Sequence, residues 1–328
     1  MKTAKIAALV WLVALAQAQL SAAELVESSR EVQGTNALPP VGALTPPAAS
    51  AASTAVPRAG ILRFGQLDWH TDYTAAYHQA QTERKQLLLF FRDDRHPELA
   101  DSFERGVLAH ADLHDALSRV VRVILPLDAL RPQPDATSKA TRLLDHSSFE
   151  HMYHRQGLAM IDLVEPGSDL YGQVVSAHPF TAGKLYTVRG MQLMLGLPRA
   201  SLTQRALIYA VRLHPEAPPC TNGVCHPFIL RQARQSSSLM AQYQAVGHHD
   251  WGNRSAEITA ATNHNGMEVA AMSMGSTSLI DAAIEIVNMW QGSPTHWGMM
   301  TAPCSLYGFD MVRAAGGGSW YGTGILAN

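Results

Sequence analysis

The chain has 328 residues, with 25 basic side chains, 27 acidic side chains and 15 histidines. A net charge of −2, with histidine neutral, argues against nucleic acid as a partner, because phosphate binding needs a strongly basic surface. Three cysteines are also too few for the disulfide scaffold of a small secreted domain. The composition is that of an ordinary globular chain.

The N-terminus predicts a secretory signal peptide over residues 1–23. A basic head with Lys2 and Lys5 precedes an apolar run from Ile6 to Leu15, which is too short to span a bilayer, and small residues suited to cleavage follow. No later run approaches roughly 18 apolar residues. We therefore expect a protein without a membrane span that is secreted or resides in the periplasm or cell envelope.

The rest of the chain divides by composition into a linker and two predicted domains. Residues 24–59 are rich in alanine and proline and lack the large apolar side chains that a core requires, so we expect a disordered linker there. About 270 residues remain, enough for two domains. We place these domains at 60–198 and 201–328.

The first domain has an α/β pattern. Continuous apolar runs at 87–91 and 120–127 are typical of strands buried on both faces, and residues 158–163 and 172–176 indicate a hairpin. Between these runs the apolar spacing predicts helices over Tyr73–Glu83, Phe103–Leu117 and Ser147–Arg155. Helices alternating with strands predict a central sheet.

This layout resembles the thioredoxin fold. That family carries a C-x-x-C redox motif just after its first central strand, where this chain has the charged turn from Phe91 to Glu98, without cysteine. The family's proline before the hairpin is replaced by Leu158-Ala159-Met160. The resemblance implies the fold of a degenerate thioredoxin-like domain without the family's redox activity.

The sequence of the second predicted domain indicates three helices and a closing hairpin. Helices are expected from 202 to 212, from Phe228 to Val246 and from Ala282 to Trp290. Glycine-rich sequence then separates two short strands, Tyr307–Val312 and Trp320–Ile325.

Two imidazoles and one carboxylate in this domain stand in glycine- and tryptophan-rich, turn-prone sequence. His248 lies in Gly-His-His-Asp-Trp-Gly, Glu268 in Gly-Met-Glu-Val-Ala, and His296 in Trp-Gln-Gly-Ser-Pro-Thr-His-Trp. If they meet, two histidines and a glutamate are able to hold a divalent metal such as zinc or to share a proton. These residues are the candidate site.

The order of these pieces resembles the CAP superfamily of cysteine-rich secretory, antigen 5 and pathogenesis-related proteins, in particular its exported bacterial branch. The resemblance covers residues 201–328 and implies an α-β-α sandwich with a cleft. By this resemblance His248, Glu268 and His296 occupy three of the family's four cleft positions, and Ser293 stands where the family has a second glutamate.

We therefore expect an exported, non-catalytic binding protein with a His/Glu cleft. Its ligand is left open between a small apolar molecule, a peptide or other cell-envelope component, and a divalent metal. The alternative is a metal-assisted or serine-based hydrolase that uses the same cleft, with Ser293 as the nucleophile.

The cysteines allow one local pairing. Cys220 and Cys225 flank the turn-like Thr-Asn-Gly-Val, a spacing compatible with a loop disulfide that would leave Cys304 unpaired. The spacing is not C-x-x-C, so it indicates neither a redox motif nor a zinc site.

Overall fold

The computed structural model describes residues 61–64, 66–132, 140–180, 186–275 and 278–328. The predicted signal peptide and linker lie outside these residues. The described chain contains helices and two separate β-sheets, which confirms the predicted α/β class. In the described part of the chain, no helix is both long and apolar enough to cross a membrane.

The first sheet has six strands in the order β1-β2-β4-β3-β5-β6, with β2, β4 and β3 parallel and the remaining neighbours antiparallel. The elements of this part are β1 (Ile61–Phe64), β2 (Leu67–His70), α1 (Tyr73–Glu83), β3 (Leu87–Arg92), α2 (Pro97–Phe103), α3 (His114–Ser118), β4 (Val121–Pro126), β5 (Gly157–Ile161), β6 (Val174–Pro179) and α4 (Val188–Leu195).

The second sheet has four strands in the order β7-β9-β10-β8, so β8 is an edge strand. The elements here are α5 (Leu202–Leu213), β7 (Val224–Cys225), α6 (Pro227–Tyr243), α7 (Trp251–Thr262), β8 (Gly266–Met272), α8 (Leu279–Gln291), α9 (Pro294–Thr301), β9 (Leu306–Arg313) and β10 (Trp320–Ala327). Helices α5 and α8 cover one face of this sheet, and α6 and α7 cover the other.

Strand β3 shows how the sequence pattern becomes a buried sheet. Its first five side chains are fully buried, and they alternate between two apolar clusters on opposite faces. Leu88 and Phe90 face the side of α2 and α4, whereas Leu87, Leu89 and Phe91 face α1. The continuous apolar run is therefore required by burial on both faces.

The predicted helix over 103–117 is wrong. Its place is taken by the end of α2, a π-helical turn (Glu104–Leu108), a 3₁₀ turn (Ala111–Leu113) and α3. His110 interrupts the helix because its backbone is extended and its Nδ1 accepts from the Asp112 amide at 3.2 Å. The segment over 147–155 is likewise a 3₁₀ helix (Ser147–Met152) rather than an α-helix, since Phe149 leaves the helical region.

The charged turn that replaces the redox motif forms an ion-pair network. The Arg92 guanidinium lies 2.8 Å from Asp94, 2.9 Å from Asp101 and 2.8 Å from Glu104. Burial raises the pKa of Glu104 above its usual range, although Arg92 opposes this effect. One arginine thus ties the end of β3 to α2 and to the π-helical turn, a structural role.

The described residues belong to one compact unit. One apolar cluster contains Phe90 of β3, Tyr209 of α5 and Phe309 of β9, so α5 connects the cores of the two sheets. The division into domains at 60–198 and 201–328 stays a prediction, although each sheet lies wholly within one of these ranges.

Candidate functional site

Strand β8 positions Glu268 at the edge of the second sheet. The side chains of Val269 and Ala271 enter the core on the side of α8, whereas Ala270 joins a cluster with Met240 of α6. Because side chains alternate along a strand, Glu268 points to the same face as Ala270. Its carboxylate is therefore buried under α6 and α7, with a side-chain exposure of 1%.

Arg254 of α7 neutralises this buried carboxylate. Its Nη2 donates to Glu268 Oε2 at 2.6 Å, and Arg254 is itself 1% exposed. Nη2 also lies 3.3 Å from Ser236 Oγ, and Nη1 donates to the His249 carbonyl. A buried carboxylate needs such pairing, because an isolated buried charge is costly. Sequence reasoning missed Arg254, and no local motif indicates it.

The segment between α6 and α7 places His248 over Glu268. Gln244 ends α6 with φ 51°, and Asp250 precedes α7 with φ 56°, so two left-handed residues reverse the chain within a few positions. His248 Nδ1 then lies 2.9 Å from Glu268 Oε1. A carboxylate paired with a guanidinium accepts on both oxygens, so the hydrogen of this bond lies on Nδ1, and Nε2 takes no part in it.

His296 approaches from the other side of the edge strand. It lies in the first turn of α9, and its ring centroid is 6.2 Å from that of His248, with the rings inclined at 62°. Trp297 anchors this helix by donating from Nε1 to Glu216 Oε2 at 2.8 Å, and Met300 packs in the core. The helix is thus held independently of the two imidazoles.

The structure brings all three predicted site residues together. His248 and Glu268 are hydrogen-bonded, and the His296 ring meets the His248 ring edge to face. The neighbouring His249 instead turns back, with Nε2 3.2 Å from the Ala245 carbonyl, and His264 Nδ1 lies 2.6 Å from the Thr262 carbonyl. Neither of these two histidines joins the cluster.

The two imidazoles differ in their surroundings. Burial lowers the pKa of His296 below its ordinary value of 6.5, and the neighbouring His248 lowers it further. His296 is therefore neutral at neutral pH. The His248 side chain is 47% exposed above a carboxylate that is 1% exposed, so the pair presents one fixed imidazole to solvent.

The donor set does not match a three-ligand zinc site. Both oxygens of Glu268 are engaged, one by His248 and one by Arg254. Over the described ranges, no group of three or more histidine, cysteine, aspartate or glutamate side chains is arranged to hold a metal ion. What remains is a pair of imidazoles, one of which has a carboxylate behind it, as metal-binding histidines commonly do.

Among the described residues, no side-chain hydrogen bond joins a histidine to Ser293, the nucleophile of the alternative hypothesis. Ser293 is the N-cap residue of α9 and makes no side-chain capping bond. Across the described residues, the hydrogen-bond partner of the His248 ring is a carboxylate and not a hydroxyl. The arrangement therefore orients an imidazole without pairing it to a nucleophile.

Comparisons with family models, with curated proteins and with solved structures find no match for this chain.

Proposed function

We propose that this chain is an exported, non-catalytic binding protein whose cleft is formed by His248, Glu268 and His296. The supporting observation is that a buried carboxylate, itself neutralised by Arg254, orients the half-exposed His248 beside His296. Packing of the core does not require a buried carboxylate that orients a half-exposed histidine such as His248. The CAP-like fold of residues 201–328 and the thioredoxin-like fold of 60–198 are part of this proposal.

Of the ligands that the sequence leaves open, a divalent metal is best supported. Metal ligation requires a neutral imidazole, and burial favours that form at His296. The carboxylate behind His248 fixes the orientation of the ring. His248 and His296 would hold the ion, and Glu268 would orient His248. With two protein ligands, coordination positions remain for a group of a peptide or cell-envelope ligand.

The test is calorimetric titration of the full chain with zinc chloride. We expect saturable binding near one ion per chain, lost in His248→Ala and in His296→Ala. Glu268→Gln should bind about 10–100-fold more weakly, because loss of the orienting carboxylate typically costs that much. The matched control is His264→Ala, which removes a histidine that bonds only to its own turn.

Equal zinc heats in the wild type and in a His248→Ala/His296→Ala double variant would refute metal binding by this cleft. Circular dichroism of each variant checks that the fold is retained. Loss of binding in the control as well as in the site variants would show that the effect is not specific to His248 and His296, and would also refute the proposal.

A hydrolase is the second candidate, because a carboxylate-oriented imidazole is also the form of a general base. This hypothesis predicts that the protein turns over an ester or peptide substrate. The turnover should be lost in Glu268→Gln and in Ser293→Ala, while both variants keep the fold. Turnover that survives Ser293→Ala would exclude the serine mechanism.

A further inference from the structure

Two cysteines that are distant in sequence meet in the core beside the second sheet. Cys220 is fully buried and Cys304 is 9% exposed. The Cys304 thiol donates to the Cys220 carbonyl, with Sγ 2.7 Å from the oxygen. Cys220 Sγ lies 4.0 Å from Met300 Sδ, at the end of α9 that leads to Cys304. The two thiols thus occupy one sulfur-rich pocket.

The backbones that carry these cysteines are in direct contact. The Val224 amide donates to the Ser305 carbonyl at 2.8 Å, and a Cβ at Gly223 would lie 2.4 Å from the Cys304 carbonyl oxygen. A carbonyl oxygen is about 2.4 Å from its own Cα, so Cys304 Sγ is within about 5 Å of the Cys220 Cα. Cys304 Sγ is about 2.8 Å from its own Cα, so the two Cα atoms are at most about 8 Å apart, a range that includes the roughly 4.4–6.8 Å Cα spacing of a disulfide.

Cys225 is engaged elsewhere. It lies in β7 directly opposite Tyr307 of β9. All three thiols are free in the structure, so it contains neither the loop disulfide between Cys220 and Cys225 that the sequence allows nor any other pairing of the three.

We propose that Cys220 and Cys304 form the disulfide of this protein in an oxidising compartment, and that Cys225 remains a thiol. The co-reactant is a small-molecule disulfide such as oxidised glutathione. Both S–H bonds break and one Sγ–Sγ bond forms, while two electrons and two protons reduce the small disulfide to two thiols. The exchange proceeds through a mixed disulfide and requires a thiolate.

The crosslink encloses the whole candidate site. Its ends are 84 positions apart, and His248, Glu268 and His296 all lie between them. Burial raises the pKa of Cys220 to about 12 and that of Cys304 to about 11, so the folded protein presents almost no thiolate at neutral pH. The bond therefore forms during folding, before the pocket closes, and afterwards resists reduction.

The test is refolding of the full chain from denaturant in a mixture of reduced and oxidised glutathione. Free thiols are then alkylated, and the protein is digested with trypsin without reduction. We expect mass spectrometry to find residues 213–231, which contain both Cys220 and Cys225, joined to residues 255–313, which contain Cys304. Fragmentation should place the alkyl group on Cys225.

Two variants separate this pairing from the alternatives. Cys225→Ser should retain the crosslink, and Cys304→Ser should lose it. The oxidised wild type should melt about 10 °C above the same protein kept in dithiothreitol, because the bond closes a long loop, and Cys304→Ser should show no such difference. A looped 213–231 peptide joined through Cys220 and Cys225, or alkylation of all three cysteines after oxidative refolding, would overturn the proposal.

Discussion

The core of this protein contains two buried polar side chains that affect each other, Arg205 and His178. The Arg205 guanidinium is 1% exposed and is satisfied by neutral acceptors, namely Ser176 Oγ at 2.9 Å and the carbonyls of Leu197 and Pro198 at 3.1 and 2.8 Å. His178 is buried nearby, with its ring 4.9 Å from that of Tyr209. Because these acceptors carry no net charge, they do not neutralise the positive charge of Arg205. That charge disfavours protonation of the nearby His178.

His178 should make stability depend on pH. Burial, helped by the positive Arg205, lowers the pKa of His178 from 6.5 to about 3 in the folded protein. The unfolded chain therefore binds a proton that the folded protein does not, and stability falls as the pH drops below about 6.5, until the folded pKa is reached. Each pH unit in this window should cost about 1.4 kcal/mol from this residue. Urea unfolding at pH 6, 5 and 4 measures the loss.

The variant that checks this assignment is His178→Gln. This variant lacks the imidazole that takes up a proton on unfolding. Its free energy of unfolding should therefore fall less steeply than that of the wild type between pH 6 and 4. Equal slopes in wild type and His178→Gln would show that His178 is not the group responsible.

At the level of elements, the close approach of α6 to β9 organises the second sheet. Ser237 of α6 donates to the Asp310 carbonyl at 2.9 Å, and the Asp310 side chain accepts from Thr203 of α5 at 2.7 Å. At Gly308 the helix backbone passes directly over the strand. A residue without Cβ is required there because the two backbones leave no room for one.

Gly308→Ala should therefore destabilise the protein. The added Cβ would lie 2.6 Å from the Leu230 nitrogen and 2.7 Å from the Ile229 carbonyl carbon, both backbone atoms of α6. Such overpacking should cost about 1–3 kcal/mol in the free energy of unfolding. Urea denaturation measures it.

Gly298 in α9 is the control for this substitution, since a Cβ there meets nothing within 4 Å. Gly298→Ala should be neutral or should stabilise the protein by about 0.5–1 kcal/mol, because alanine loses less entropy in a helix. A loss at Gly298 as large as that at Gly308 would contradict the packing explanation.

For the molecule as a whole, the core that α5 shares between the two sheets predicts cooperative unfolding. Strand β3 of the first sheet and strand β9 of the second contribute to one apolar cluster. Neither sheet is able to lose its packing without exposing apolar surface of the other. We expect the strands of both sheets to exchange their amide hydrogens with the same free energy of opening.

Hydrogen exchange with mass spectrometry at increasing urea tests this expectation. Peptides from β3 and from β10 (Trp320–Ala327) should lose protection together at one urea concentration. Loss of protection in β3 well before β10 would mean that the two predicted domains unfold separately, and would show that the shared cluster contributes little to stability.

Several elements followed from the sequence alone because their signals are local. Helix α1 has the predicted bounds, Tyr73–Glu83, since its buried positions repeat at helical spacing. Helix α7 was not predicted because only Arg254 and Ile258 of its side chains are buried, which leaves almost no apolar periodicity. The β1–β2 hairpin was also not predicted, and three of the four β1 residues are exposed.

The candidate site, too, was predictable from the sequence only in part. His248, Glu268 and His296 were identified from residue type and neighbouring turn-forming residues, which are properties of the sequence. The tertiary structure alone decided that Arg254 occupies the second oxygen of Glu268, and that Cys304 lies against Cys220. The physical reason is that helical spacing and burial patterns are written along the chain, whereas contacts between distant residues depend on how whole helices and strands pack against one another.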